Sequence, residues 1–137
     1  MLKEPSHSVF IADDDDDDLY MLQLAFQQHA PDCRLEIASN GIDLLDLIKR
    51  SPVQPCLVIL DINMPFMDGF EVLQTLRANP DYTQTPIVVL TTSRQDWDRQ
   101  RAFELGANAF ITKPTNLATL NQIIRQLNND WQLDRYL

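Results

Sequence analysis

Cysteine and histidine are scarce in this 137-residue chain, with two of each. Cys33 and Cys56 form no CxxC pair and no Cys/His cluster, so neither a metal site nor a disulfide framework has residues to build on. Both thiols are expected to be plain packing groups, one buried in a strand and one near a turn. His7 and His29 stand alone, far from each other in the chain and without ligand-spaced neighbours. Positive charge is thin as well: 11 Lys and Arg face 20 Asp and Glu, for a net charge of −9. No basic stripe is visible, and nonspecific binding to nucleic acid needs a positive field over the phosphates. That class is therefore set aside. No apolar run approaches the roughly 20 residues of a membrane span, and the opening "MLKEPSHS" is polar rather than a signal peptide. A cytoplasmic protein without membrane contact is the expectation. Internal repeats and long linkers are missing too. A single domain of this length can bury a core without staples, and 45% hydrophobic with 23% charged residues is ordinary for one.

What is present is a regular alternation. Residues 1–7 read as a flexible arm. "SVFIA" then forms a strand ending at Ala12, and a helical period starts near Asp16 with Leu19, Leu22, Ala25 and Phe26 on one face, stopping before Pro31. "CRLEIA" is a second strand. "NG" at 40–41 makes a turn into a helix with Ile42, Leu45 and Ile48 inward. "PCLVIL" is a strand covered on both faces. A third helix carries Phe70, Leu73 and Leu76 and ends near "NPD". "PIVVLTT" is a fourth strand, and a weaker helix from about Trp97 to Leu105 closes at Gly106. "NAFIT" is a fifth strand, and the last helix carries Leu117, Leu120, Ile123, Ile124 and Leu127.

Five strands alternating with five helices predict an α/β fold: an open parallel sheet, helices on both faces, right-handed crossovers. At this size the doubly wound order 2-1-3-4-5 is expected. Its switch point lies between strands 1 and 3, where ligands bind at carboxyl ends. Strand 1 ends in Asp13 and Asp14, and strand 3 ends in Asp61. Three carboxylates gathered there cannot all stay ionised without a cation, and oxygen-only ligands beside a phosphate suit Mg²⁺. Strand 4 ends in the hydroxyl of Thr91 and strand 5 in the ammonium of Lys113, each able to hold a phosphoryl oxygen. Either alone is a common surface residue. Their joint placement at successive strand ends describes phosphoryl chemistry.

Asp13 through Asp18 carry most of the acidity, and without them the net charge would be −3. A calcium loop fails as an explanation: its sixth position would be Asp18 where Gly is required, and its twelfth Leu24 where a bidentate Glu belongs. A disordered acidic tract is excluded by the strand and helix patterns on either side. The block divides instead into a metal pair (Asp13, Asp14), a bend residue (Asp15) and a helix start (Asp16 to Asp18), where negative charge meets free N–H groups. The charge beyond the pair is left without a role.

"ADD" after strand 1, "LVILDINMPFMDGFEVL", "PIVVLTT" and "GANAFITKP" together resemble the receiver domain of bacterial two-component response regulators. The resemblance, closest to single-domain, chemotaxis-type regulators, spans residues 8–128 and leaves 129–137 as a short extension. It implies a flavodoxin-like (βα)5 fold and a signalling phosphoacceptor, not an enzyme in the ordinary sense, that catalyses its own phosphorylation and dephosphorylation. Carried onto these residues, Asp61 is phosphorylated by a histidine kinase or receives phosphate in a relay. Asp14 binds Mg²⁺ directly and Asp13 largely through water, while the Asn63 backbone carbonyl adds a ligand. Thr91 and Phe110 form the switch, Lys113 contacts the phosphate, and Asn63 and Ser93 tune phosphoryl lifetime. The Lys113–Pro114 bond is implied to be cis. Phe110 replaces a frequent Tyr and lacks its hydroxyl.

Two rival readings are a pseudo-receiver that never takes phosphate and a haloacid-dehalogenase-type phosphatase. The latter needs a second acid where Asn63 stands. Output is expected through a downstream protein partner that binds the phosphorylated face, or by Asp61 passing its phosphate onward in a relay. The tail "NNDWQLDRYL", with Trp131, Leu133, Tyr136 and Leu137, either packs on its own domain or makes a dimer or partner contact. Some regulators with such a tail serve phytochrome-type kinases.

Overall fold

The computed structural model describes residues 7–131 and 133. Its five strands are β1 (Ser8–Ala12), β2 (Arg34–Ala38), β3 (Leu57–Leu60), β4 (Ile87–Thr91) and β5 (Ala109–Thr112). They pair in parallel in the order β2-β1-β3-β4-β5. The helices are α1 (Asp16–His29), α2 (Gly41–Arg50), α3 (Gly69–Ala78), α4 (Asp96–Glu104) and α5 (Leu117–Trp131). A short 3-10 turn, Pro80–Tyr82, follows α3.

β1, β3 and β4 are buried along their whole length, as continuous apolar runs require when helices cover both faces. Their side chains feed two cores. One holds Val9, Ile11, Leu57, Ile59 and Val88 against α1 and α5; the other holds Phe10, Val58, Leu60, Ile87 and Val89 against α2, α3 and α4. Alternate residues of a strand point to opposite faces, so one run supplies both layers.

α1 buries Leu19, Leu22, Ala25 and Phe26, as the period predicted. α2 differs. Its buried residues are Gly41, Leu44 and Ile48, while Ile42 is exposed. Gly41 sets that rotation: a Cβ there would stand 2.6 Å from Val72 Cγ2 and against the Met67 carbonyl oxygen, so the helix start lies flat on its neighbours. The "NG" pair is a cap rather than a turn, with the Asn40 side chain accepting the Asp43 N–H at 2.8 Å. α5 runs through Trp131, beyond the residue 128 boundary drawn from sequence. Leu133 is fully buried in the core beneath α1 and α5, so this part of the tail packs on its own domain. Tyr136, Leu137 and most of the N-terminal arm lie outside the described residues. Neither thiol lies in a strand; Cys33 and Cys56 are half-buried and unbonded to each other.

Candidate functional site at the carboxyl ends of the strands

The sheet register places the candidate residues before any side chain is considered. Ala12 of β1 lies beside Leu60 of β3, so Asp13 and Asp61 leave the sheet side by side. The Asp61 N–H continues the ladder to the Ala12 carbonyl at 3.0 Å. Thr91 of β4 lies beside Thr112 of β5, and the next N–H, that of Lys113, bonds the Thr91 carbonyl at 2.7 Å. α3 is held close behind Asp61. A Cβ on Gly69 would overlap the Asp61 carbonyl oxygen and stand 2.8 Å from Ile62 Cα, which only glycine avoids.

Asp13, Asp14 and Asp61 each bring a carboxylate oxygen to within 4.8 Å of the other two. Asp13 and Asp61 are buried and Asp14 is exposed, which leaves one side of the trio open to solvent. The Lys113 ammonium sits among the acids, 2.8 Å from Asp13 Oδ2, 2.8 Å from Asp61 Oδ2 and 2.7 Å from Asp18 Oδ2. The other oxygens are also held: Asp13 Oδ1 accepts the Asp15 N–H at 3.0 Å, and Asp61 Oδ1 accepts the Asn63 N–H at 3.2 Å. Burial pushes the Asp13 carboxyl above the ordinary Asp range, against the lowering pull of Lys113 and of the Asp15 N–H. Burial also acts to lower the Lys113 ammonium, but its bonds to Asp13, Asp18 and Asp61 outweigh that and hold it above the usual lysine range. The lysine is charged at every physiological pH.

Thr91 is completely buried, and its hydroxyl oxygen accepts the Ser93 N–H at 3.3 Å. Ser93 donates from Oγ to Asp98 Oδ2 at 2.7 Å, tying the loop after β4 to the first turn of α4. Phe110 is already packed inward at 7% exposure, with the Arg99 guanidinium 6.0 Å from its ring centre. Asn63 is exposed at the mouth of the site. His7 and His29 are not brought to it; they lie at the start of β1 and the end of α1.

One implied feature is corrected. Every peptide bond among the described residues is trans, including Lys113–Pro114. Trans is favoured by about 0.5–1 kcal/mol for X–Pro bonds, and in this form Lys113 already reaches three carboxylates. The geometry does not call for the other isomer.

Two residues escaped the sequence reading. Asp15 is the N-cap of α1, its side chain accepting the N–H groups of Asp17 and Asp18 at 2.9 and 3.0 Å. Asp18 reaches Lys113, 95 residues away. A signal for the latter existed: Asp18 precedes Leu22 by four residues and Ala25 by seven, so it shares their inward stripe.

The ends of β1, β3 and β5 thus meet in one acidic pocket with one lysine, and β4, which ends in the buried Thr91 hydroxyl, lies between β3 and β5. The family model of the response regulator receiver domain matches residues 9–125. The chain belongs to that family. Among curated relatives, the receiver is 31% identical to response regulator Rcp1 of Synechocystis over 133 residues, covering 93% of this chain and 90% of Rcp1. Among solved structures, it matches the phosphorylated cyanobacterial phytochrome response regulator RcpA with a TM-score of 0.85 at 27% identity, over 93% of this chain and 94% of that one. The Mn²⁺-bound form of Rcp1 matches with a TM-score of 0.81 at 29% identity, over 90% and 93% of the two chains. No described helix of the receiver is long and apolar enough to cross a membrane. Its fold is the flavodoxin-like one, with the strand order its sequence implied.

Proposed function

We propose that this receiver accepts a phosphoryl group on Asp61 from the phosphohistidine of a sensor kinase or a histidine phosphotransfer protein, and signals through a protein partner. The observation that carries the reading is the convergence on Asp61 of a cation, two further carboxylates and an open solvent side. One Asp61 oxygen forms a bond to phosphorus as the P–N bond of the donor breaks, and the electron pair of that bond leaves with the imidazole. Asp61 suits the task because its carboxylate is fixed by Lys113 and the Asn63 N–H, so little reorientation precedes attack.

The donor set fits a hard divalent ion: three carboxylate oxygens within 4.8 Å, with no nitrogen or sulfur ligand among them. Asp13, Asp14, Asp61 and the Asn63 backbone carbonyl would hold Mg²⁺, which would offset the negative charge of the phosphoryl group during transfer. Lys113, 2.8 Å from Asp61 Oδ2, is a second positive charge at the acceptor, and the Thr91 hydroxyl a neutral donor. For Thr91 to turn to a phosphoryl oxygen it gives up the Ser93 N–H contact, which loosens the loop that Ser93 and Asp98 fasten to α4. Phe110, already inward, supplies the aromatic half of the switch by packing rather than by hydrogen bonding. The face of α4, β4 and β5 is then the output surface. Asn63, whose N–H bonds Asp61 Oδ1, and Ser93, whose N–H bonds the Thr91 hydroxyl, stand at the positions where the family sets how readily water reaches the acyl phosphate. The likeness to RcpA, a phytochrome response regulator, supports a phytochrome-type kinase as donor.

The test is incubation with a small phosphodonor and Mg²⁺, followed by intact mass. The expected result is a gain of one phosphoryl group that requires Mg²⁺ and disappears in Asp61→Asn. A wild-type protein that gains nothing in Mg²⁺ supports the pseudo-receiver instead.

A further inference from the structure

The first turn of α1 presents three acids, and they are not equivalent. Asp16 and Asp17 are exposed and join no ion pair among the described residues, whereas Asp18 is half-buried and accepts Lys113 at 2.7 Å. An ammonium has three N–H donors, and all three of Lys113 are spent on Asp13, Asp18 and Asp61. Two of these partners belong to the trio assigned above to the metal. Asp18 does not. Lys113 and a divalent ion therefore draw on the same two carboxylates, and Asp18 is the one partner the lysine keeps when the ion takes its share.

The surroundings hold the pair in place. Asp18 and Lys113 line a cleft of about 20 Å³ whose other walls include Leu22, Leu90 and Leu120. The lysine stem lies along this apolar wall, and only the carboxylates offer its ammonium acceptors. We infer that Asp18 is a positioning residue that parks Lys113, leaving Asp13 and Asp61 free to bind Mg²⁺. Without Asp18 the lysine has only Asp13 and Asp61, and the ion must displace it from both. This rests on the metal role of the trio under the proposed function. It also gives the surplus acidity of the aspartate run a specific use at one position.

The test is a calorimetric Mg²⁺ titration of the full chain, with no phosphodonor present, on wild type, Asp18→Asn, Asp17→Asn and Asp18→Glu. Thermal melts without Mg²⁺ confirm that each variant is folded. Asp18→Asn is expected to weaken Mg²⁺ binding about tenfold, the scale of one charge-assisted contact. Asp17→Asn removes the same charge from an exposed site where salt screens it, and is expected to change affinity by no more than about twofold. Asp18→Glu restores most of the affinity. In a Lys113→Gln background the Asp18→Asn loss shrinks to that of Asp17→Asn, because no lysine remains to be parked. Equal losses in Asp17→Asn and Asp18→Asn, or a full Asp18→Asn loss in the Lys113→Gln background, would overturn the role of Asp18 alone. A wild-type protein that takes up no Mg²⁺ would overturn the metal site itself and the inference with it.

Discussion

Replacing Lys113 by Met tests how the acidic pocket is balanced. The Lys113 side chain is 9% exposed, that of Asp13 3% and that of Asp61 7%. Methionine keeps most of the lysine stem but no charge, so Asp13, Asp18 and Asp61 lose the cation they share. At 4.8 Å, the outer spacing within the metal trio, two like charges repel by about 3 kcal/mol at the effective dielectric that suits protein sites. Breaking a buried pair by deleting one partner costs about 3–5 kcal/mol in general. A loss of that size is expected at pH 7.5 without Mg²⁺. With a urea m-value of about 2 kcal/mol/M, the unfolding midpoint falls by roughly 2 M.

The pH dependence has a definite sign. Burial already raises the Asp13 carboxyl above its ordinary 3.8, and losing Lys113 raises it further. Between the unfolded and the raised folded value, the folded state binds a proton that the unfolded state does not. Stability therefore falls as pH rises through that window. The variant is expected to regain much of its loss at pH 5, whereas wild-type Lys113 stays charged on both sides of it. Mg²⁺ stabilises the variant more than the wild type, since nothing competes for the acids. Urea melts followed by circular dichroism at pH 5 and 7.5 decide the matter. A loss below about 1 kcal/mol at pH 7.5, or one that does not change with pH, refutes the reasoning.

Gly69→Ala forces α3 away from the end of β3, because its Cβ meets backbone atoms of Asp61 and Ile62. Overpacking of this kind costs about 1–3 kcal/mol, read as a lower Tm, and phosphoryl uptake at Asp61 is expected to fall with it. Phe66 is 83% exposed and sits at φ +68°, a conformation that costs a non-glycine residue about 1–2 kcal/mol. Phe66→Gly is expected to gain up to about 1 kcal/mol in urea melts after glycine's own chain entropy is deducted, whereas Phe66→Ala should gain nothing. Burial, with the nearby Cys33 thiol, pushes Cys56 up to about 12, so its native thiolate at pH 8 is about one part in ten thousand. Iodoacetamide at pH 8 is expected to leave Cys56 unmodified in the folded protein and to label it in urea. Rapid labelling of the folded protein contradicts the upward push on its thiol.

The strand ends were legible because each is a short apolar run broken abruptly by one polar residue, and a parallel sheet aligns such breaks. Asp13, Asp61, Thr91 and Lys113 followed from that alone. Helix faces were legible only where the stripe was unambiguous. In α1 four inward residues fit one period, but in α2 both Ile42-Leu45-Ile48 and Gly41-Leu44-Ile48 suit a helix. The choice between them was made by the approach of Gly41 to Val72 and Met67, a contact between distant segments. The six aspartates hid their differences because adjacent identical residues carry no contrast. Only the rotation of α1 separates Asp18, aimed at Lys113, from Asp17, aimed at solvent. The left-handed backbone of Phe66 and the trans bond at Pro114 are local states that no composition or period encodes.

The central claim is that one carboxylate among these acids is the phosphoryl acceptor. Borohydride converts an aspartyl phosphate to homoserine, so treating the phosphodonor-incubated protein and sequencing its peptides by mass spectrometry marks the modified residue. Homoserine at position 61 alone, dependent on Mg²⁺ and on the phosphodonor, is the expected outcome. Homoserine at position 13, 14 or 18, or at none of these acids, would contradict the account.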